Sequence, residues 1–359
     1  MNPCVASEYT PADKEKVFEL IKEILGECVA SISLKAWDWL FINNPFIPEG
    51  TNVIFAEKDK ERPVSLYAKI FVDLKIDDEI HTARWTCYHM VHPKYRSTKR
   101  VSMAYLDFAS THYASFCFVI SAFAVKKVLA MARKRPGVVA AGYIFNFIRV
   151  LNANELFRKK IKNKFISYIG GKTWDTISKI FWPLKNFYCN ISVSEIAYFD
   201  ERFNKFWQKV CGDYKVIVAR TQKYLNWRFI ESPFKYRIFA ATKNSELSGY
   251  IALSISTKGN FKKGLIVDLL AGPDDEATIN ALIKTALFYF KENECHLAMC
   301  ILSTDKASYR DALKRNGLII KRPRIYLGVY SGNKEQLSVL KNLSNWFITG
   351  SDPDLDIWD

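Results

Sequence analysis

Trp39-Leu-Phe-Ile-Asn-Asn-Pro45-Phe46 returns 188 residues later as Trp227-Arg-Phe-Ile-Glu-Ser-Pro233-Phe234, a shared W-x-F-I-x-x-P-F. Working outward, each copy runs into Ile-Phe-Ala, at 54–56 and at 238–240, then a polar turn, then an apolar run holding Ser65-Leu-Tyr67 or Ser248-Gly-Tyr250. The order of these landmarks is the same in both copies and their offset drifts by only a few residues. The chain therefore reads as a duplication.

Each copy mixes two periodicities. Val17, Leu20, Ile21 and Ile24 fall at helical spacing within Glu15 to Leu25, whereas 53–57 and 65–72 are short β-rich runs separated by the turn Lys58-Asp-Lys-Glu-Arg-Pro63. A strand over 84–91 ends at His92-Pro93, and helical character returns over 101–113. The second copy repeats this with a strand over 264–270, a break at Gly272-Pro273 and a helix over 277–291. Hairpin, strand, turn, helix and strand in that order predict an α/β (α+β) chain of two domains, each a mixed central sheet flanked by helices.

At 359 residues, 49% hydrophobic and 25% charged, the chain has room for two cores. Its 8 cysteines form no CxxC pair and no zinc-ligand spacing with the 5 histidines, so neither a disulfide framework nor a metal site is expected, and the thiols read as small buried hydrophobes. No basic segment followed by an apolar stretch opens the N-terminus, and the longest apolar run, 114–125, is shorter than the ~20 residues of a spanning helix. A cytoplasmic protein is expected. The net charge of +15 is concentrated: between 126 and 185 stand 14 Lys and Arg against Glu155 and Asp175.

Two stretches resemble the tandem GNAT-like N-acyltransferases. Val91-His-Pro-Lys-Tyr-Arg96 is similar to the V-x-P-x-Y-R-G-x-G that closes that family's central strand and opens its pyrophosphate loop. Arg220-Thr-Gln-Lys-Tyr224-Leu-Asn-Trp227-Arg-Phe is similar to the R-D-x-x-Y-L-x-W-R of double-domain members. The resemblance implies two GNAT-like domains, with acetyl-CoA or another acyl-CoA as co-substrate and a small amine-bearing acceptor such as an amino sugar, amino acid or peptide. Physically, a strand-to-helix loop presents unsatisfied N–H groups and a helix dipole to a pyrophosphate. The family's Arg/Gln-x-x-Gly-x-Gly/Ala reads here Arg96-Ser-Thr-Lys-Arg100-Val101, with large residues at both small positions. The resemblance implies cofactor contacts at Met90, Val91, Arg96, Ser97, Thr98, Lys99, Arg100 and Val101, the two cations gripping phosphate as charges. In the second copy, Asp274, Asp275 and Glu276 stand where cations would be needed, which suits helix capping and not phosphate.

Acyl transfer to an amine needs a base for the nucleophile and an acid for the departing thiolate. Many members place a tyrosine four residues before the glycine ending the last helix; Arg133 and Leu313 hold those places here. The candidates are Tyr88 and His89 on the central strand, on opposite faces by alternation, together with Asp268 and with Tyr309 one turn before Leu313. The alternative for each is a packing or capping role, and for the chain as a whole a non-catalytic GNAT-like binding protein. A Fem-type aminoacyl transferase using charged tRNA is a further reading.

The chain divides into an N-terminal domain over 1–150, a basic aromatic-rich connector over 151–190, a C-terminal domain over 191–346 and an acidic C-terminal tail over 347–359. In the connector, Phe157, Ile161, Phe165, Ile166 and Ile169 lie at helix-like spacing among cations before Gly170-Gly171. Packing between the domains is one expectation, and a peripheral contact with the anionic inner membrane face is the other. No reading motif for nucleic acid is present.

Overall fold

The computed structural model describes residues 5–96, 115–121, 137–153, 173, 176, 190–352 and 356–357, with side chains for all of these except 5–8, 89, 115–121 and 322–324. The first copy comprises β1 (Val5–Glu8), α1 (Lys14–Leu25), α2 (Glu27–Phe41), β2 (Ile54–Asp59), β3 (Arg62–Ile76), β4 (Glu79–Val91), β5 (Ser115–Ser121) and β6 (Val138–Val150). The second comprises β7 (Ile191–Ile196), α3 (Arg202–Val210), β8 (Val216–Val218), α4 (Gln222–Leu225), β9 (Arg237–Lys243), β10 (Glu246–Lys258), β11 (Phe261–Ala271), α5 (Glu276–Glu292), β12 (Leu297–Ser303), α6 (Ala307–Arg315) and β13 (Ile319–Ser331), then α7 (Lys334–Leu340) and β14 (Ile348–Thr349).

The spacing that marked the first helix is also what buries it. Val17, Leu20 and Ile21 form one stripe of α1, and Gly26, with φ of 90°, ends α1 and lets α2 start at a new angle. The repeated motif lies where helices give way: Trp39 sits in the last turn of α2, and Trp227 in a wide π-type turn, Asn226–Ile230, that continues α4. Strand β3 is buried along nearly all its length, so both faces of the sheet are covered there.

One continuous sheet joins the two copies, in the order β1-β2-β3-β4-β5-β13-β6-β12-β11-β10-β9-β7. Read from both ends this is a single pattern repeated, with one exchange. β13, the last strand of the second copy, pairs with β5 of the first, while β6, the last of the first, pairs with β12 of the second. β13 and β6 then pair with each other along the centre. The split at residue 150 read from the sequence therefore separates chain segments, while the sheets share their final strands. In each copy the only parallel contact is the one reached by a crossover, β4 with β5 and β11 with β12.

The repeated tryptophans meet at the interface of the halves. Trp39 Nε1 donates to the carbonyl of Trp227 at 2.9 Å, Trp227 Nε1 donates to the carbonyl of Trp39 at 3.4 Å, and the rings lie 5.4 Å apart. Reciprocal bonds between equivalent residues are what an approximate two-fold axis produces. A second tie is β8, which adds to the end of β3, where Lys75 Nζ donates to the Tyr214 carbonyl at 2.8 Å.

The stretch read as an acidic tail is built into the fold as far as Asp352. Trp346, Phe347 and Ile348 are buried, and β14 pairs with β12 through Leu302↔Thr349 and Ser303↔Ile348. Burial of the cysteines is uneven: Cys295 and Cys300 are buried, while Cys28 on α2 is exposed.

Candidate active site at the parting of strands four and five

Two parallel strand pairs separate as they run, and a separating pair leaves backbone groups along both inner edges that something must satisfy. In the second copy β11 and β12 pair from Lys263↔Leu297 to Ile266↔Cys300 and then diverge. The chain itself fills that opening. β14 lines β12, Ser351 N–H donates to the Val267 carbonyl at 3.0 Å, and an added Cβ at Gly350 would come within 3.3 Å of that same oxygen.

Beneath this plug is a closed polar network. The fully buried Arg220 donates from Nε to Asp268 Oδ2 at 3.0 Å, and its Nη2 lies 2.7 Å from Asp352 Oδ1. Tyr250 donates to Asp268 Oδ2 at 2.7 Å, and Thr349 donates to Oδ1 at 2.8 Å. Burial alone would loosen the proton of Arg220, but the two carboxylates raise its pKa well above its ordinary value. Burial likewise raises Asp352, against the opposing pull of Arg220. Arg228, also buried, holds Asp356. Arg220, Tyr224, Trp227 and Arg228, which carry the resemblance to double-domain members, are thus buried side chains that fasten the C-terminal segment and the half-to-half contact.

Asp268 sits inside this network and is completely buried. Tyr309 is equally enclosed: its hydroxyl lies 2.9 Å from that of Tyr214, donates to the Ala271 carbonyl at 2.7 Å and accepts from the Ala271 N–H. Burial pushes its pKa up. These two residues close the end of β11. At the following helix, burial would raise Asp275, but bonds from Thr278 and Lys243 hold it below the usual carboxylate range, as befits the N-cap of α5.

The first copy differs. β4 and β5 pair only at Trp85↔Cys117 and Thr86↔Phe118, and among the described residues no strand stands between them beyond that point. Immediately after Thr86 the ladder to β3 slips: Ala68 faces Cys87 and Leu66 faces Met90, so Tyr88 and His89 together oppose Tyr67. Tyr88 takes φ of 50°. A bulky residue in this left-handed region within a bulge is a costly arrangement, and such bulges recur beside active sites, where they re-aim side chains. The Tyr88 ring packs toward Trp37 and Phe41, at 5.9 and 6.0 Å, on the side of α1 and α2. His89 follows it on β4. Met90 is buried, and Arg96 is exposed with its Nε bonded to the Val91 carbonyl at 2.9 Å. Ser97, Thr98, Lys99, Arg100 and Val101 lie outside the described residues, as does nearly all of the connector.

Sequence reasoning missed the face of β3 and β4 opposite α1 and α2. Glu57, Ser65, Tyr67, Lys69 and Arg84 are all buried there. Ser65 donates to Glu57 at 2.9 Å, and the Tyr67 hydroxyl lies 3.3 Å from that of Thr86, the counterpart of the Tyr250–Asp268 bond. Burial, helped by Arg84, pulls the Lys69 amine down to about 7. The only signal in the sequence was alternation, Ser65-x-Tyr67-x-Lys69, hidden within an apolar run.

A bulged central strand that parts from its parallel neighbour, and a helix-flanked mixed sheet present twice, define a GNAT-like fold in duplicate. No protein-family model and no curated protein matches the sequence. Among solved structures, Saccharomyces cerevisiae N-myristoyltransferase with bound myristoyl-CoA superimposes with a TM-score of 0.59 at 12% identity, over 92% of this chain and 83% of that one. A conserved Enterococcus faecalis protein of unknown function, described as a probable N-acyltransferase, gives 0.58 at 10% identity over 93% and 73%. A GCN5-related N-acetyltransferase from Anabaena variabilis gives 0.57 at 9% identity over 90% and 72%. Among the described residues no helix is long and apolar enough to cross a membrane.

Proposed function

We infer that this chain is an acyl-CoA-dependent N-acyltransferase that takes its donor in the first copy, at the opening between β4 and β5, and passes the acyl group to a small amine. The observation that carries this reading is the asymmetry of the two openings. The second is filled by Gly350 and Ser351 and roofed by Tyr309, whereas the first ends in a strained bulge next to a basic loop. The myristoyl-CoA held by the yeast neighbour supports a CoA thioester as donor and leaves its acyl length open.

In this reading Arg96, Lys99 and Arg100 hold the donor's phosphates, with Ser97 and Thr98 offering hydroxyls and N–H groups at the start of the following helix. Met90 and Val91 present the β4 edge. The acceptor nitrogen attacks the thioester carbonyl; a C–N bond forms, the C–S bond breaks, the nitrogen's proton passes to a base and the thiolate leaves to be protonated. His89 is the candidate base and Tyr88 the candidate acid, being the two residues displaced by the bulge. Asp268 and Tyr309 support the scaffold of the second copy. The reaction belongs in the cytoplasm, where acyl-CoA is available.

Calorimetric titration of the purified chain with acetyl-CoA and longer acyl-CoAs tests this. Binding that is lost in Lys99→Glu and kept in Tyr309→Phe is expected. No heat and no thermal shift with any acyl-CoA at about 1 mM would sink the reading and favour a non-catalytic binding protein.

A further inference from the structure

Large apolar side chains that face water singly are ordinary on any folded protein. At the central seam of the sheet they are not single. Tyr143 and Phe145 on β6 are 41% and 38% exposed, and Ile319 and Ile320 at the start of β13 are 57% and 49% exposed. Alternation places Tyr143 and Phe145 on one face of β6. The register Tyr326↔Tyr143 and Ile320↔Phe147 brings Tyr326 and Ile320 onto that same face, where the two tyrosine rings meet edge to face at 4.7 Å.

The seam is also irregular at this spot. Lys321 pairs with Asn146 and Ile325 with Ile144, so three residues of β13, Arg322-Pro323-Arg324, stand opposite the single Phe145. A proline in such a bulge forfeits no ladder bond. A cationic run, Lys321-Arg-Pro-Arg324, is thereby set at the rim of an exposed apolar and tyrosine-bearing surface.

We propose that this seam is a docking surface for an anionic lipid bilayer. The argument is complementarity. Aliphatic and aromatic side chains partition into the headgroup–acyl boundary, tyrosine suits that boundary because one end is apolar and the other polar, and adjacent cations meet acidic headgroups. The net charge of +15 acts in the same direction, since it draws the whole chain toward a negative surface. This surface is separate from the 151–190 connector and does not depend on the acyltransferase reading.

Sedimentation of the full chain with phosphatidylcholine vesicles, with and without about 30 mol% phosphatidylglycerol, tests it. The chain is expected to pellet with the anionic vesicles alone and to be released as salt rises from about 0.1 M to about 0.5 M. The double variants Phe145→Ser/Ile320→Ser and Arg322→Ser/Arg324→Ser should each lower partitioning about tenfold, with melting temperature and acyl-CoA titration unchanged. Three results overturn the proposal. One is parent protein that pellets with neither vesicle, and another is double variants that pellet like the parent, which assigns adsorption to charge elsewhere. The third is a concentration-dependent dimer, lost in Phe145→Ser/Ile320→Ser, in a chain that ignores vesicles.

Discussion

Replacing either repeated tryptophan by phenylalanine should cost unequal amounts, although the motif is the same. Both indoles are buried, at 6% for Trp39 and 2% for Trp227, and both changes keep an aromatic ring at the contact. What differs is the bond removed. Trp39→Phe removes a donor at 2.9 Å and leaves the buried Trp227 carbonyl without it, a loss in the range of about 1–3 kcal/mol. Trp227→Phe removes a bond stretched to 3.4 Å, from which about 0.5–1 kcal/mol is expected. Loss of indole packing adds a similar amount to each. Urea unfolding of the two single variants and the double variant gives the values, and the double-mutant cycle should return a ring–ring coupling of about 0.5–1.5 kcal/mol. Equal costs, or a larger cost for Trp227→Phe, would refute the idea that the approximate two-fold contact is strained on one side.

Two further outcomes follow from buried charge. Arg220→Met should destabilise the chain by about 3–5 kcal/mol in urea, because it leaves the carboxylates of Asp268 and Asp352 buried without their cation; a loss under about 1 kcal/mol would show that the network is not closed to water. Lys69 has a folded pKa of about 7, below the ordinary lysine value of about 10.4, so between these the unfolded chain binds more protons and stability rises with pH. Lys69→Met should flatten that rise and raise stability at neutral pH; a urea-midpoint profile from pH 7 to about 10 with the parent's slope would contradict it.

Much of the fold was open to reading because its signals are local. The stripe Val17, Leu20, Ile21 needs only helical period, and the strand runs of β3 and β11 need only apolar length. The duplication was legible in W-x-F-I-x-x-P-F, and the capping chemistry of Asp274 to Glu276 was legible as poor phosphate chemistry, which the Asp275 cap of α5 bears out. The helix α2 went unread because aromatics crowd its face, with Trp37, Trp39 and Phe41 in five residues, and no single stripe emerges.

What tertiary structure decided is everything that depends on residues far apart meeting. The exchange of β6 and β13 carries no sequence mark, since a strand has the same pattern whichever sheet accepts it. The plugging of the second opening depends on Gly350 and Ser351 reaching Val267, more than eighty positions away, and the bulge at Tyr88 depends on β4 slipping against β3. Asp268 and Tyr309 looked available for chemistry in the sequence, where burial is invisible. In the fold they are sealed, because Arg220, Asp352 and Tyr214 converge on them. The sequence by itself determined two copies and their elements, through periodicity and repetition. Which copy keeps an open site was decided by long-range packing, because only contact between distant segments can fill one opening and leave its twin.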